Sequence, residues 1–211
     1  MTPINSEREV RLGIHAVIPR SEANGPGVRF TIWVQGCSRA CDGCFNPKTL
    51  PFLKKDGPRF VPPATPGWIE VRELVRLIDE VHQRSKLDGI SVSGGEPFDQ
   101  PEGLMALLRS GRGLGLSVVV FTGYMLDDLT ADVETAGFFE PEPLIDILVD
   151  GPYDRAQPVE GELRGSANQR ILLLTDRYNE RDLVSRGTME VSILPDGTIS
   201  VTGFSRAPFQ D

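Results

Sequence analysis

Short apolar runs alternate with amphipathic segments along most of the chain. Runs rich in Val, Ile and Phe that end at Gly, Pro or Ser are typical of strands, whereas apolar residues spaced three to four positions apart indicate a helix. These patterns predict strands at residues 28–34, 89–93, 116–121, 144–149 and 170–174, and helices at residues 69–87, 100–110 and 127–134. Strands that alternate with helices form parallel βα units, so the predicted fold class is α/β.

The C-terminal part of the chain shows a different pattern. Residues 189–202 (MEVSILPDGTISVT) have two alternating arms around a Pro-Asp-Gly turn, which predicts a β-hairpin. The Pro-rich residues 50–68 follow neither period and are predicted to form a loop. A chain of 211 residues fits one domain (residues 1–211), with a core of about residues 10–177 and a C-terminal extension of about residues 178–211.

Polar or glycine-rich segments come directly after four of the predicted strands. They are the cysteine-containing stretch after residue 34, and the segments 94–96, 122–124 and 150–151. In α/β folds, functional residues collect at the carboxyl ends of the strands. The sequence therefore predicts one site at this edge of the sheet.

The charge and the absence of long apolar stretches narrow the classes of partner. The net charge is -8, which argues against a protein that coats nucleic acid. No stretch approaches the about 20 apolar residues of a membrane span, and the N-terminus carries early acidic residues instead of the apolar segment of a signal peptide. We expect a cytoplasmic protein that binds neither nucleic acid nor membrane.

All three cysteines of the chain lie in the stretch GCSRACDGCFN, at Cys37, Cys41 and Cys44. In a reducing compartment, clustered thiols favour a metal or redox site over disulfides. A closed zinc site needs four Cys or His ligands, and the chain offers only His15, in a further predicted strand, and His82. A four-iron cluster normally takes four thiolates. Three thiolates would leave one iron open to another ligand, which favours chemistry over simple electron transfer.

The spacing CxxxCxxC resembles the cluster-binding loop of the radical S-adenosylmethionine (SAM) superfamily. Residues 93–97 (SGGEP) are similar to its SAM-binding motif, and residues 24–29 (NGPGVR) resemble the (D/N)GPG(I/V)R motif of glycyl-radical-enzyme activases. The segments CDGCFN, TGY, VDGPY and RGSANQR are similar to segments of the anaerobic ribonucleoside-triphosphate reductase-activating proteins. The resemblance runs in order from about residue 24 to residue 170.

This resemblance implies a fold, two cofactors and a reaction. The fold would be a partial (β/α) barrel of radical SAM type, here with a C-terminal β-hairpin extension. A [4Fe-4S] cluster would reductively cleave S-adenosyl-L-methionine, and the resulting 5′-deoxyadenosyl radical would abstract hydrogen from a glycine of a partner enzyme. That partner would be a glycyl radical enzyme similar to anaerobic ribonucleotide reductase, and the reductant a flavodoxin or ferredoxin.

The resemblance also implies site residues, in three groups. One group binds the cluster, one binds SAM and one contacts the partner enzyme. In that order they are Cys37, Cys41 and Cys44; then Gly94, Gly95, Glu96, Thr122, Tyr124, Asp150 and Arg170; then Asn24 and Arg29.

Other interpretations of several of these residues stay open. Asp150 precedes a glycine and also fits a turn-initiating residue, and a monovalent cation beside it is a further possibility. Arg170, assigned by resemblance to the SAM carboxylate, also fits an ordinary arginine at a strand edge. A Gly-Pro-Gly turn ahead of a strand needs no function.

Two other functions also stay open. The loop at residues 50–68 and the tail at residues 178–211 go beyond the compact reductase activases, which leaves room for a stand-alone radical SAM enzyme that modifies a peptide or small molecule. The third hypothesis is a non-catalytic Fe–S or zinc-binding interaction module. The SGGEP and TGY segments argue against it, because such a module needs no SAM pocket.

Overall fold

The computed structural model describes residues 9–183, 189–193 and 199–203. The strands in these ranges are β1 (Arg11–Ser21), β2 (Arg29–Val34), β3 (Gly67–Glu70), β4 (Gly89–Gly94), β5 (Ser117–Phe121), β6 (Ile147–Asp150), β7 (Arg170–Leu173), β8 (Met189–Ile193) and β9 (Ile199–Gly203). The α-helices are α1 (Val71–Ser85), α2 (Pro101–Gly113) and α3 (Leu126–Ala131). Short 3-10 turns lie at Pro47–Thr49, Pro97–Asp99, Ala136–Phe138 and Glu180–Leu183.

Four parallel strands form the centre of a seven-stranded sheet with the order β3-β1-β2-β4-β5-β6-β7. Strands β2, β4, β5 and β6 run parallel, while β1, β3 and β7 pair antiparallel at the two sides. Parallel strands end at the same edge of a sheet, so the segments that follow β2, β4, β5 and β6 lie at one edge. The predicted α/β fold class is confirmed.

The central strands are buried because their side chains are almost entirely apolar. Phe30, Ile32 and Val120 are fully shielded from solvent. Helices α1 and α2 contribute Leu74 and Leu107 to the same core. Burying a side chain of this size stabilises the fold by about 1.5–3 kcal/mol relative to leaving it exposed, so the core holds the strand ends in place.

The structure differs from the sequence prediction at the start of α1. The periodicity predicts a helix from residue 69, but residues 67–70 form β3, which pairs with β1 from Arg11↔Glu70 to Ile14↔Gly67. The side chain of Ile69 is buried as a strand residue and Val71 then begins the helix. The segment 50–68, predicted to be a loop, therefore ends in the first half of an edge strand.

The predicted C-terminal hairpin is present as strands β8 and β9, which pair antiparallel with Val191 opposite Val201. Its predicted Pro-Asp-Gly turn lies outside the described residues. The division into a core and a C-terminal extension of one domain stays a prediction. Within the described ranges, we find no helix with the length and apolar character needed to cross a bilayer.

Candidate active site

The cysteine loop leaves β2 through a tight turn at Gly36. Its φ of +106° lies in a region that side chains disfavour, and an added Cβ would lie 2.7 Å from the Phe52 ring. The Gly36 N–H donates to the Thr49 carbonyl at 2.7 Å, and the Cys37 N–H donates to the Leu50 carbonyl at 3.1 Å. The loop is thus fastened at its base to the segment that follows it.

All three thiols are unpaired, half-buried and face the same cavity. The backbone N–H groups of Arg39 and Asn46 point at Cys37 Sγ and Cys44 Sγ, at 3.4 Å and 3.3 Å. Burial raises the pKa of the Cys37 and Cys44 thiols, and these N–H groups partly oppose that effect. In the described part of the chain, no three His, Cys, Asp or Glu side chains form a group that could hold a single metal ion.

The cavity has a volume of about 840 Å³ and lies at the carboxyl edge of the parallel strands. This size is typical of pockets that bind a small molecule. Besides the thiols, the wall includes the ends of β4 and β5, residues 15–20 of β1, and part of β9. Its lining residues include Cys37, Cys41, Cys44, Gly94, Gly95, Glu96, Thr122, Gly123, Gly151, Asn24, Val201, Thr202 and Gly203.

The buried carboxylate of Glu96 lies in the wall of this cavity. It accepts hydrogen bonds from the Phe98 N–H at 3.0 Å, the Thr122 hydroxyl at 2.8 Å and the Gly123 N–H at 2.8 Å. Burial outweighs these donors and raises the pKa of Glu96 to about 7. A buried carboxylate with this pKa gains stability from a nearby cation, such as an ammonium group.

Gly95 brings the Glu96 segment against the cysteine loop. The Gly95 N–H donates to the Val34 carbonyl, and the Glu96 N–H donates to the Gly36 carbonyl at 2.8 Å. A Cβ at Gly95 would collide with the Gly36 carbonyl oxygen. Glycine is therefore required here for backbone packing between the two halves of the site, whatever contact the segment makes with a ligand.

Thr122 and Tyr124 support the site in different ways. The Thr122 hydroxyl orients Glu96, as described above. The Tyr124 side chain does not line the cavity but points to the loop behind it, where its hydroxyl donates to Asp99 at 2.9 Å. The guanidinium of Arg39 lies over the Tyr124 ring at 4.6 Å. The structure thus shows a contact of Tyr124 with the cysteine loop, and its contact with SAM stays a prediction.

Asp150 and Arg170 form an ion pair behind the cavity. Asp150 is fully buried, and its oxygens accept from Arg170 Nε at 2.9 Å and from the Leu126 N–H at 2.8 Å. Neither side chain lines the cavity. The structure therefore gives Arg170 a carboxylate partner within the chain and leaves Gly151, next to Asp150, at the cavity wall. Pairing of Arg170 with the SAM carboxylate stays a prediction.

The two expected partner contacts have different environments. The side chain of Arg29 is fully buried and donates to Ser91, Ser117 and backbone carbonyls. Burial lowers its pKa. The guanidinium has no exposed surface to offer a partner protein, so the structure gives the predicted partner contact of Arg29 no support. Asn24 is also largely buried, but it lines the cavity.

Comparison with known proteins identifies the family. Residues 23–172 match the family described as "4Fe-4S single cluster domain". The chain is 34% identical over 166 residues to the anaerobic ribonucleoside-triphosphate reductase-activating protein of Vibrio cholerae. This match covers 76% of this chain and 97% of that protein. The protein of the same name from Escherichia coli K12 is 31% identical with the same coverage. This chain belongs to the anaerobic ribonucleoside-triphosphate reductase-activating proteins of the radical SAM superfamily.

Membership of this family makes the chain a radical SAM enzyme whose cofactors are a [4Fe-4S] cluster and SAM. The four parallel strands β2, β4, β5 and β6 are consistent with the predicted partial (β/α) barrel. The crystal structure of QueE from Escherichia coli is also similar, with a TM-score of 0.44, 18% identity, and coverage of 54% of this chain and 53% of that chain.

The residues of the cavity fit both cofactors. Three half-buried thiols are the donor set of an iron–sulfur cluster with one iron left free of protein thiolate. The buried Glu96 carboxylate in the same cavity matches the amino group of SAM. Both groups lie in one space of about 840 Å³, so a single cavity can hold cluster and SAM together.

Sequence reasoning did not find several residues that shape this site. Asp99 joins the cysteine loop to the Glu96 segment, and residues 201–203 of β9 form part of the cavity wall. Asp99 follows the SGGEP segment by two positions, and that proximity was the available signal. For β9 the sequence carried none, because a hairpin pattern does not indicate where the hairpin packs.

Proposed function

We propose that this chain is an activase that generates a glycyl radical on a partner enzyme of the anaerobic ribonucleotide reductase type. One observation carries the proposal: the three thiols and the buried Glu96 carboxylate line the same cavity. The family relatives named above are activating proteins of that reductase. When bound, cluster and SAM supply a one-electron reductive cleavage whose organic radical product can take hydrogen from a glycine Cα.

In this proposal the chain's own residues bind and orient the reactants. Cys37, Cys41 and Cys44 bind three irons as thiolates. Glu96 binds the amino group of SAM, and the Thr122 hydroxyl and the Gly123 N–H fix the direction of that carboxylate. The glycines before Glu96 provide further SAM contacts through their backbone groups.

Asp150, Arg170 and Tyr124 act as positioning residues in this proposal. The ion pair of Asp150 with Arg170 fixes the strand ends beside Gly151, and the Asp150 contact with the Leu126 N–H fixes the start of α3. Tyr124 contacts the cysteine loop from behind the cavity, through the Arg39 guanidinium over its ring and the Ser38 hydroxyl 3.2 Å from its own hydroxyl. Asn24 lines the cavity and contacts the glycine-bearing segment of the partner in this proposal.

We further propose that a flavodoxin or ferredoxin reduces the cluster and that the protein works in the cytoplasm. The cysteine loop supports the first point, because residues 38–40 are exposed and bring the thiols near the surface. The three unpaired thiols support the second point, since a reducing compartment preserves them.

The test begins with anaerobic reconstitution with iron and sulfide, followed by dithionite, SAM and the anaerobic ribonucleotide reductase encoded in the same genome. We expect 5′-deoxyadenosine by mass spectrometry and a glycyl radical on the reductase by electron paramagnetic resonance. Cys41→Ala should abolish both products, whereas Ser85→Ala, on the exposed end of α1, should change neither. Deoxyadenosine without a glycyl radical would overturn the activase function, and zinc uptake without iron would overturn the cluster as well.

A stand-alone radical SAM enzyme acting on a peptide or small molecule is the second candidate. It is favoured by one observation, namely that strands β8 and β9 lie beyond the family match of residues 23–172 while β9 lines the cavity. A site altered in this way can serve a different substrate. The same assay separates the two functions, because this candidate predicts deoxyadenosine but no radical on the reductase.

A further inference from the structure

The C-terminal hairpin is part of the active-site cavity although it lies outside the segment that matches the family. Val201, Thr202 and Gly203 of β9 line the same space as the three thiols and Glu96. The family match ends at residue 172. The hairpin therefore adds a wall to the site, beyond the part of the chain that provides the cluster and SAM ligands.

One face of the hairpin is attached to the core by side-chain hydrogen bonds. The Asn24 amide donates to the Thr202 hydroxyl at 3.0 Å, and that hydroxyl lies 3.2 Å from the Asn24 amide oxygen. The Glu22 N–H donates to the Glu190 carboxylate at 2.7 Å. Glu190 and Thr202 are cross-strand partners, so these contacts come from one face and connect the hairpin to the segment between β1 and β2.

The opposite face presents an apolar pair to solvent. Side chains alternate between the two faces of a strand, so Val191 and Val201 lie opposite the attached face and directly across from each other. They are 54% and 42% exposed. Val201 also lines the cavity. Val191 does not line the cavity itself, but its pairing with Val201 places it directly beside the cavity wall.

We propose that this valine pair is a substrate-positioning surface, against which the glycine-bearing segment of the partner enzyme packs. The inference rests on the proposed activase function and specifies which part of the site selects the protein substrate. The substrate must enter the cavity that holds the thiols and Glu96. Val201 is part of its wall, and Val191 lies next to Val201 on the neighbouring strand. An extended polypeptide with an apolar residue near its reactive glycine fits this surface. A small molecule held inside the cavity would leave Val191 uncovered.

The test uses full-length protein with Val191→Thr and Val201→Thr, singly and together. Threonine keeps the β-branched shape that suits a strand, but it places a hydroxyl in the contact. We expect the KM for the reductase to rise by about tenfold in the double variant, with kcat at saturating reductase largely retained, because lost apolar burial weakens binding without changing the chemistry. Val133→Thr, on an equally apolar but 93% exposed position, is the matched control and should leave KM unchanged.

The outcomes separate this inference from the proposed function. Wild-type protein that forms no glycyl radical on the reductase overturns the activase function, and the hairpin inference with it. If the wild-type protein forms the radical but the double variant has the wild-type KM, the hairpin inference alone is overturned. If the variants lower the unfolding midpoint, hydrogen exchange in the wild-type protein decides: the reductase should slow exchange in β8 and β9, and unchanged exchange there would overturn the inference.

Discussion

Asp99 accepts two hydrogen bonds from Ser38, from its backbone N–H at 2.6 Å and from its hydroxyl at 2.9 Å. Ser38 directly follows Cys37, and Asp99 ends the turn that begins after Glu96. This contact joins the cysteine loop to the segment that carries the carboxylate expected to bind SAM. The position of the first thiol relative to Glu96 therefore depends on a side chain outside both motifs.

The first prediction concerns this contact. Asp99→Asn replaces one accepting oxygen with an amide that cannot accept a hydrogen bond from Ser38. A hydrogen bond to a charged group contributes about 1.5–3 kcal/mol, so opening of the loop should become at least about tenfold easier. We expect the reconstituted cluster to lose iron to a chelator several-fold faster than in the wild-type protein. The decay of the cluster's visible absorbance measures this loss.

The control for this prediction is Asp132→Asn. Asp132 also accepts a backbone N–H, from Glu134 at 2.8 Å, but on an exposed turn. It should leave iron loss unchanged. If Asp99→Asn loses iron at the wild-type rate, the cysteine loop does not depend on this contact.

The second prediction concerns the ion pair of Asp150 and Arg170. Arg170→Met leaves a fully buried carboxylate with only the Leu126 N–H as a partner. Breaking a buried pair in this way costs about 3–5 kcal/mol, and the 40% exposure of Arg170 reduces that cost to about 2 kcal/mol. Urea unfolding of the metal-free protein should show this loss.

A matched substitution on the surface tests whether burial is the cause. Arg20 pairs with Glu22, and both side chains are more than half exposed. Arg20→Met should therefore change the free energy of unfolding by less than about 1 kcal/mol. Equal losses in Arg170→Met and Arg20→Met would contradict the role assigned to the buried pair.

The third prediction separates stability from partner binding at Arg29. The guanidinium donates to Ser91, Ser117 and the Ile90 carbonyl. Arg29→Lys keeps the charge but cannot donate to all of these acceptors at once. We expect the free energy of unfolding to fall by about 2–4 kcal/mol, measured by urea unfolding.

Kinetic measurements on Arg29→Lys distinguish a role of Arg29 in stability from a role in partner binding. Because its side chain is fully buried, the folded fraction of Arg29→Lys should keep the wild-type KM for the reductase. A raised KM at unchanged stability would restore the partner-contact role that the motif implied. Measurements at low temperature, where the variant stays folded, make the comparison direct.

The fold and the chemical centre were largely readable from the sequence, and the limits have physical causes. Buried parallel strands such as β4 and β5 are short apolar runs, and the three clustered cysteines stand out in any composition. Edge strand β3 was missed because its Ile69 also fits the periodicity of the following helix. Local patterns do not encode which distant side chains meet.

Two of the predicted site residues have long-range partners that motif spacing does not reveal. Arg170 and Arg29 have the chemistry of ligand-binding residues, but tertiary structure gives one an internal carboxylate and the other a set of buried acceptors. The placement of Val201 in the cavity wall depends on the contact of Thr202 with Asn24, 178 positions apart in the chain. Such contacts follow from the folded sheet and cannot be derived from motif spacing.

The last prediction concerns the pH dependence of SAM binding through Glu96. Burial raises the pKa of this carboxyl to about 7, so below pH 7 the free protein holds it mostly neutral. Only the ionised carboxylate pairs strongly with the ammonium group of SAM. Binding must then include loss of the proton, and the Kd for SAM should rise about tenfold for each pH unit below 7.

Glu96→Gln tests this dependence directly. The variant cannot ionise at this position, so we expect weaker binding at pH 8 and a Kd that no longer changes through this group between pH 6 and 8. Titration calorimetry with SAM on the reconstituted protein measures both effects, and Glu134→Gln, on an exposed turn, should behave as wild type. A Glu96→Gln protein that retains the wild-type pH profile would show that another group controls the binding of SAM.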